Sequence, residues 1–215
     1  MSFLNQLKQQ AQSLQHAQGA QDQDLEANTA LTEAACKTVW HYFDELPRQL
    51  NVIEPAAAAL SLDGKSHWPA MKQTDFRFDA RKKMLRDQEV FDYLALGWRL
   101  APRQGNPGTH SVKVNFPPDL ERVERRLRAG QVPHERKEQR HPATNGLQAI
   151  VFEHEIAARA SVLVTADHEI AVLQFRLAGV NGLEIVNTAY RADQVNTAAL
   201  DELAKLIVGE PSRFV

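Results

Sequence analysis

The chain has 215 residues, 43% hydrophobic and 24% charged, with a net charge of −2; these are ordinary values for a soluble globular protein of one generous domain or two small ones. Its longest uncharged apolar runs, such as Ala56–Leu60 and Val162–Val164, are too short to span a bilayer, and Met1–Gln10 lacks the basic start and apolar run of a secretory signal. The single cysteine, Cys36, excludes an internal disulfide and a cysteine-based zinc site, and a reducing cytoplasm is the expected location.

Ser2–Gln18 reads as a helix in which Leu4, Leu7, Ala11 and Leu14 follow the 3-4-3 spacing of a coiled-coil seam, surrounded by glutamines. It is expected either to dock on its own domain or to join a second copy as a homo-oligomer arm. Gln21–Asp24 offers a polar break and two aspartates as N-caps. A second helix is then predicted over Leu25–Leu46, with Leu31, Ala35, Thr38, Tyr42 and Leu46 on one face and Pro47 as its stop. Cys36 and His41 do not form a nucleophile and base, because five residues place them about 140° apart on the helix wheel.

Leu50–Gln73 has no clear period. Asp63-Gly64 marks a turn, and Trp68-Pro69 sets a large ring beside a rigid bend. From Thr74 the pattern predicts two passes through three strands and a helix. Phe76, Phe78 and Ala80 alternate with Arg77, Asp79 and Arg81 as a half-buried strand. Arg86–Glu89 is read as a turn. Val90–Leu100 is apolar on both sides, which predicts a strand covered on both faces, with Gly97 marking a bulge or a close backbone approach. Val112, Val114 and Phe116 make a third strand, and Pro118–Ala129 a helix ended by Gly130.

Gln131–Asn145 is polar, carries Pro133 and Pro142, and reads as a linker. Beyond it, Ile150, Phe152, Ile156, Ala158, Val162 and Val164 point one way. Asp167-His168 is read as a solvated turn, and Asn181-Gly182 as a hairpin signal before Leu183–Tyr190. Asn196 caps the last helix, which buries Leu200, Leu203, Ala204 and Ile207 and ends at Gly209.

The predicted fold class is α+β: an antiparallel sheet of about six strands built from two β-β-β-α passes, preceded by two N-terminal helices. The domain reading is a helical arm 1–50, a first unit 51–130, a linker 131–145 and a second unit 146–215, or one continuous domain over 25–215.

No nucleotide loop, nucleophile elbow or H-E-x-x-H motif occurs, so no catalytic residue, metal or cofactor is assigned. His154 lies between Glu153 and Glu155, but on a strand those carboxylates face away from it and the three do not chelate together. It reads as a core histidine, or as a pocket residue together with Trp68 and Trp98. The charge is uneven: residues 1–73, 74–142 and 143–215 carry balances of −3, +5 and −4. The basic middle holds Arg81, Lys82 and Lys83, and a helix bearing Arg125 and Arg126, which together form a candidate patch for an acidic partner. Nucleic acid is disfavoured because no aromatic-rich strand for stacking bases is present. The leading functional expectation is a non-enzymatic binding or assembly module that forms a homo-oligomer through the N-terminal helix or a sheet edge, with no membrane partner. The alternative is a small-molecule binder or hydrolase with a pocket between sheet and helices.

Overall fold

The computed structural model describes residues 3–215, with the side chains of Leu7, Lys8, Gln10, Gln12 and everything from Asp22 onward. Its first element is one helix, α1 (Phe3–Ile53), where two were expected. Gln21–Asp24 holds neither glycine nor proline, so its N-capping potential goes unused and the helix runs through. Pro47 also fails to end it. A mid-helix proline costs about 3 kcal/mol, but the turn beyond it is pinned. Leu50 is buried, and the Asn51 side chain accepts from the Phe76 N–H at 2.7 Å and donates to the Phe76 carbonyl at 3.0 Å.

The buried stripe of α1 is Thr29, Thr32, Cys36, Val39, Phe43, Pro47 and Leu50, with Ala35 of the predicted face beside it, the 3-4 alternation of a packed helix seam. This is rotated from the predicted face, and Leu31 is left 49% exposed. Burial, with Glu33 nearby, pushes the Cys36 thiol up to about 12, so it is an inert core group. Of the predicted N-terminal seam, only Leu7 lies within the described side chains, and it is exposed.

Strands β1 (Met71–Leu85), β2 (Gln88–Pro102) and β3 (Thr109–Val114), then helix α2 (Pro117–Ala129), realise the first predicted pass in order. The second differs. The predicted linker contains strand β4 (His134–Arg140), and the long apolar run divides into β5 (Leu147–Glu155) and β6 (Ala158–Asp167) at Ile156-Ala157. After these come β7 (Val172–Ala178), β8 (Ile185–Arg191) and helix α3 (Thr197–Val208). The strands form two antiparallel sheets, ordered β1-β2-β6-β7-β8 and β3-β5-β4. Each therefore mixes strands from both passes.

The turns obey local chemistry. Arg86 and Asp87 both take positive φ (48° and 61°), which the two-residue hairpin between β1 and β2 requires. Asn196 Oδ1 accepts from the Ala199 N–H at 3.0 Å, and Gly209 closes α3 at φ 82°. Gly130 ends α2 for another reason. Its φ is −86°, but a Cβ there would lie 2.5 Å from Leu183 Cδ2. The predicted Asn181-Gly182 hairpin is a longer loop, in which Gly179 and Gly182 take the positive φ values.

One core joins the whole molecule. Helix α1 packs on β1, β2, β6 and β7, and Phe214 of the C-terminal tail meets Phe175 at 5.2 Å. The Gln73 side chain ties α3 to β1 by donating to the Ile207 carbonyl at 2.6 Å. All of this lies on one face of the five-stranded sheet. Among the described residues no layer lies over the opposite face. Strand β2, expected to be covered on both sides, shows Tyr93, Ala95 and Gly97 half-buried there. Among the described residues no helix is long and apolar enough to cross a membrane.

Candidate functional site

Register determines which side chains share the uncovered face. Arg77, Gly97 and Ser161 lie in one cross-strand row. The next row outward runs Asp79, Ala95, Leu163, Arg176 and Asn187, and beyond it lie Arg81, Tyr93, Thr165, Gln174 and Ala189. At the other end Arg99 stands directly opposite Arg159. Residues paired across an antiparallel ladder point to the same side with Cβ atoms about 5 Å apart, and like charges so placed repel. Neither guanidinium has a hydrogen-bond or ion-pair partner among the described residues, and the same holds for Arg176. Arg77 is engaged by Asp75, to which its Nε and Nη2 donate at 2.9–3.2 Å. Asp75 sits at φ 60° in the β1 bulge between Thr74 and Arg77, the irregularity that returns the alternation to register.

Toward the Arg99–Arg159 end the face dips into a depression of about 420 Å³, lined by Asp75, Arg77, Gly97, Arg99, Gln131, Arg159 and Ser161 among others. Gly97 was expected to mark a bulge or close contact. It does neither: a Cβ there would meet no atom within 4 Å, and the bulge falls on the opposite strand.

The sequence-selected residues fall in several places. Trp68 and His154 come together, with ring centroids 5.5 Å apart and planes 18° from parallel. Trp98 belongs to the other sheet, stacked on Phe76 at 5.1 Å; it lines the depression beside Gly97, whereas His154 lines a separate one with Thr109 and His134. Arg81 reaches the uncovered face, but Lys82 pairs with Glu89 at 3.0 Å and Lys83 with Asp92 at 3.1 Å. Arg126 is structural: its Nη1 donates to the Ser61 and Leu62 carbonyls and its Nη2 to Glu184. That loop is held again by Asp63. Burial alone would raise its carboxyl, but hydrogen bonds from Ser66, Lys65 and Ser61 outweigh this and bring it down to about 2. Arg125 is exposed on α2.

Of the two histidines flanked by carboxylates, His154 is buried as read and His168 departs from expectation. His168, read as solvated, is only 3% exposed and lies 3.0 Å from the Phe91 carbonyl through Nε2. His154 stands in a cross-strand row between His110 and His134, an alignment of three sequence-distant residues that only register could reveal. Burial lowers its pKa from the ordinary 6.5, the Glu155 carbonyl partly opposes this, and His110 and His134 lower it further. No group of three or more ligating side chains among the described residues is placed to hold a metal ion.

The row makes stability pH-dependent. Because the folded His154 has the lower pKa, its neutral form costs nothing above pH 6.5, and stability falls as the pH drops below 6.5 toward the folded value. Urea unfolding at pH 7.5, 6.5 and 5.5 is expected to show this decline, and His154→Gln should flatten it. An equal decline in the variant would assign the effect to other groups.

Arg77 was legible in sequence as a polar member of an alternating strand, whereas Arg99 was hidden in a strand that reads as apolar on both sides. Compared with known proteins, the chain matches no protein-family model, no characterised protein and no solved structure.

Proposed function

We propose that the protein is a non-enzymatic binding module whose working surface is the uncovered face of the five-stranded sheet, and that its partner is an acidic polypeptide. The observation that carries this is the Arg99–Arg159 pair, which is opposed in register and makes no ion pair among the described residues. Such a pair works against the isolated fold, so a bound anion is what it suits. Four rows about 6.8 Å apart across strands about 4.8 Å apart make a patch of roughly 400 Å². That is about half of what one partner contributes to a standard stable interface, so the complex is transient and salt-sensitive. Nucleic acid fits less well, because Tyr93 is the only aromatic side chain in these rows and its hydroxyl donates to Asp79 at 3.0 Å. The lone buried Cys36 suits a cytoplasmic setting.

The test is binding of the full chain to fluorescent polyglutamate at rising salt, with single- and double-stranded DNA as comparisons. Polyglutamate binding that weakens with salt and is lost in Arg99→Gln/Arg159→Gln supports the reading. Equal binding by that variant, or a preference for DNA, rejects it.

Self-association through the arm is the second reading, and the length of α1 favours it. Fifty-one residues make a rod of about 76 Å, and among the described side chains of α1 the first buried one is Thr29. Light scattering is expected to show an oligomer for the full chain and a monomer after removal of residues 1–24. Monomers in both cases would reject the arm.

A further inference from the structure

The depression above Gly97 carries more than diffuse charge. Resting on the reading of this face as an anion receiver, we infer that it is a discrete site for a small dianionic oxyanion of the phosphate-monoester class, clasped between Arg99 and Arg159. Three features support it.

The first is shape. Beside Arg77 the central row holds two small residues, Gly97 and Ser161, and the space over Gly97 is open to 4 Å. At about 420 Å³ the depression lies near the lower end of the 300–1,000 Å³ range of small-molecule sites. It has room for a phosphate and a modest organic group.

The second is charge and donor geometry. Two guanidiniums without partners match a dianion, and each offers a planar fork of N–H donors to phosphate oxygens. Arg77 is neutralised by Asp75, which also lines the depression, so the pair adds no net charge, but the Arg77 Nη1 left over from those bonds adds a further donor. Ser161 and Gln131 supply neutral donors at the wall. The nearby C-terminus of α2, whose carbonyls would repel an anion, is closed off. The Gly130 N–H caps the Arg126 carbonyl at 3.0 Å, the Val132 N–H that of Leu127 at 2.9 Å, and the Arg159 N–H that of Gly130 at 2.7 Å.

The third is rigidity. That last bond fixes the Arg159 backbone to the end of α2, and Gly179 packs so closely that a Cβ would lie 2.9 Å from the Arg159 carbonyl. Asp75 and Gln131, both lining the depression, hold positive φ values of 60° and 44°. Non-glycine residues in this region concentrate where a structure clamps a ligand. A site built on fixed backbone loses less on binding than a mobile one.

The experiment is calorimetry on the full chain at constant ionic strength, with phenyl phosphate as probe and inorganic phosphate, inorganic sulfate and benzoate as comparisons. Phenyl phosphate is expected to bind most tightly and benzoate, a monoanion, least; Arg99→Gln and Arg159→Gln should each weaken phenyl phosphate by about tenfold or more. The deciding variants leave every charge in place. Gly97→Leu and Ser161→Val, checked for folding by circular dichroism, fill the depression and should lose phenyl phosphate while still binding polyglutamate. If either folded variant binds phenyl phosphate as the wild type does, the site is not there, and the acidic-partner reading stands untouched. If the wild type binds phenyl phosphate but not polyglutamate, the site stands and the acidic-partner reading falls. Benzoate binding as tight as phenyl phosphate would overturn the dianion assignment.

Discussion

Replacing Gly179 by alanine is expected to cost roughly 2–5 kcal/mol of unfolding free energy, a large part of the 5–15 kcal/mol typical of a folded domain. Two costs add. Gly179 has φ 72°, where a Cβ adds on the order of 1–2 kcal/mol. That Cβ would also lie 2.9 Å from the Arg159 carbonyl oxygen, 3.1 Å from Ala160 Cβ and 3.2 Å from Ala160 Cα. Two of these atoms are backbone of a central strand and do not rotate away, so the overpacking cost of about 1–3 kcal/mol is not relieved. In a chain of this size the melting temperature should fall by roughly 5–15 °C. Gly182→Ala is the internal control. It too has positive φ (91°), but its Cβ would meet nothing within 4 Å, so only the conformational cost applies. Equal losses in the two variants would show that the contact with Arg159 carries no weight.

What sequence reading could reach here follows from where the information lies. The Asn196 cap, the Arg86-Asp87 turn and α2 are set by chemistry within a few residues, and each was legible. Strand β4 was not: in His134–Arg140 every residue is exposed, so the edge strand has no apolar period to detect and resembles a linker in composition. The continuity of α1 was obscured because Pro47 is a breaker by local rules, and what overrides it, Asn51 bonded to Phe76, lies 25 residues away. Alternation and element order did place an α+β fold with antiparallel sheet, though β3 leaves the first sheet to pair with β5, a choice among partners that no single strand encodes. The candidate site is the extreme case. Arg99 and Arg159 are 60 positions apart, and their opposition exists only in the register of β2 against β6; a shift of one residue would send one of them into the core.

That opposition has a thermodynamic signature separate from any binding assay. In the absence of a bound anion, Arg99→Gln and Arg159→Gln should each stabilise the protein by about 0.2–1 kcal/mol, because either removes the same cross-strand repulsion. The double variant should then gain little beyond one single variant, so the cycle shows non-additivity of the kind reserved for groups in contact. High salt should shrink both the gain and the coupling, since exposed charges are screened within about 10 Å at 0.1 M ionic strength. Saturating phenyl phosphate should reverse the order of stability. A ligand at a hundred times its Kd adds about 2.7 kcal/mol to the form that binds it, more than the repulsion removed, so the wild type becomes the most stable of the four proteins. Chemical denaturation of all four, with and without phenyl phosphate at two salt concentrations, measures every term. Additive single effects that do not respond to salt would mean that the two guanidiniums do not feel one another, and the argument for an anion between them would fail. A crossover in stability on adding the phosphate ester would tie the cost of this pair in the free fold to its use in the bound one.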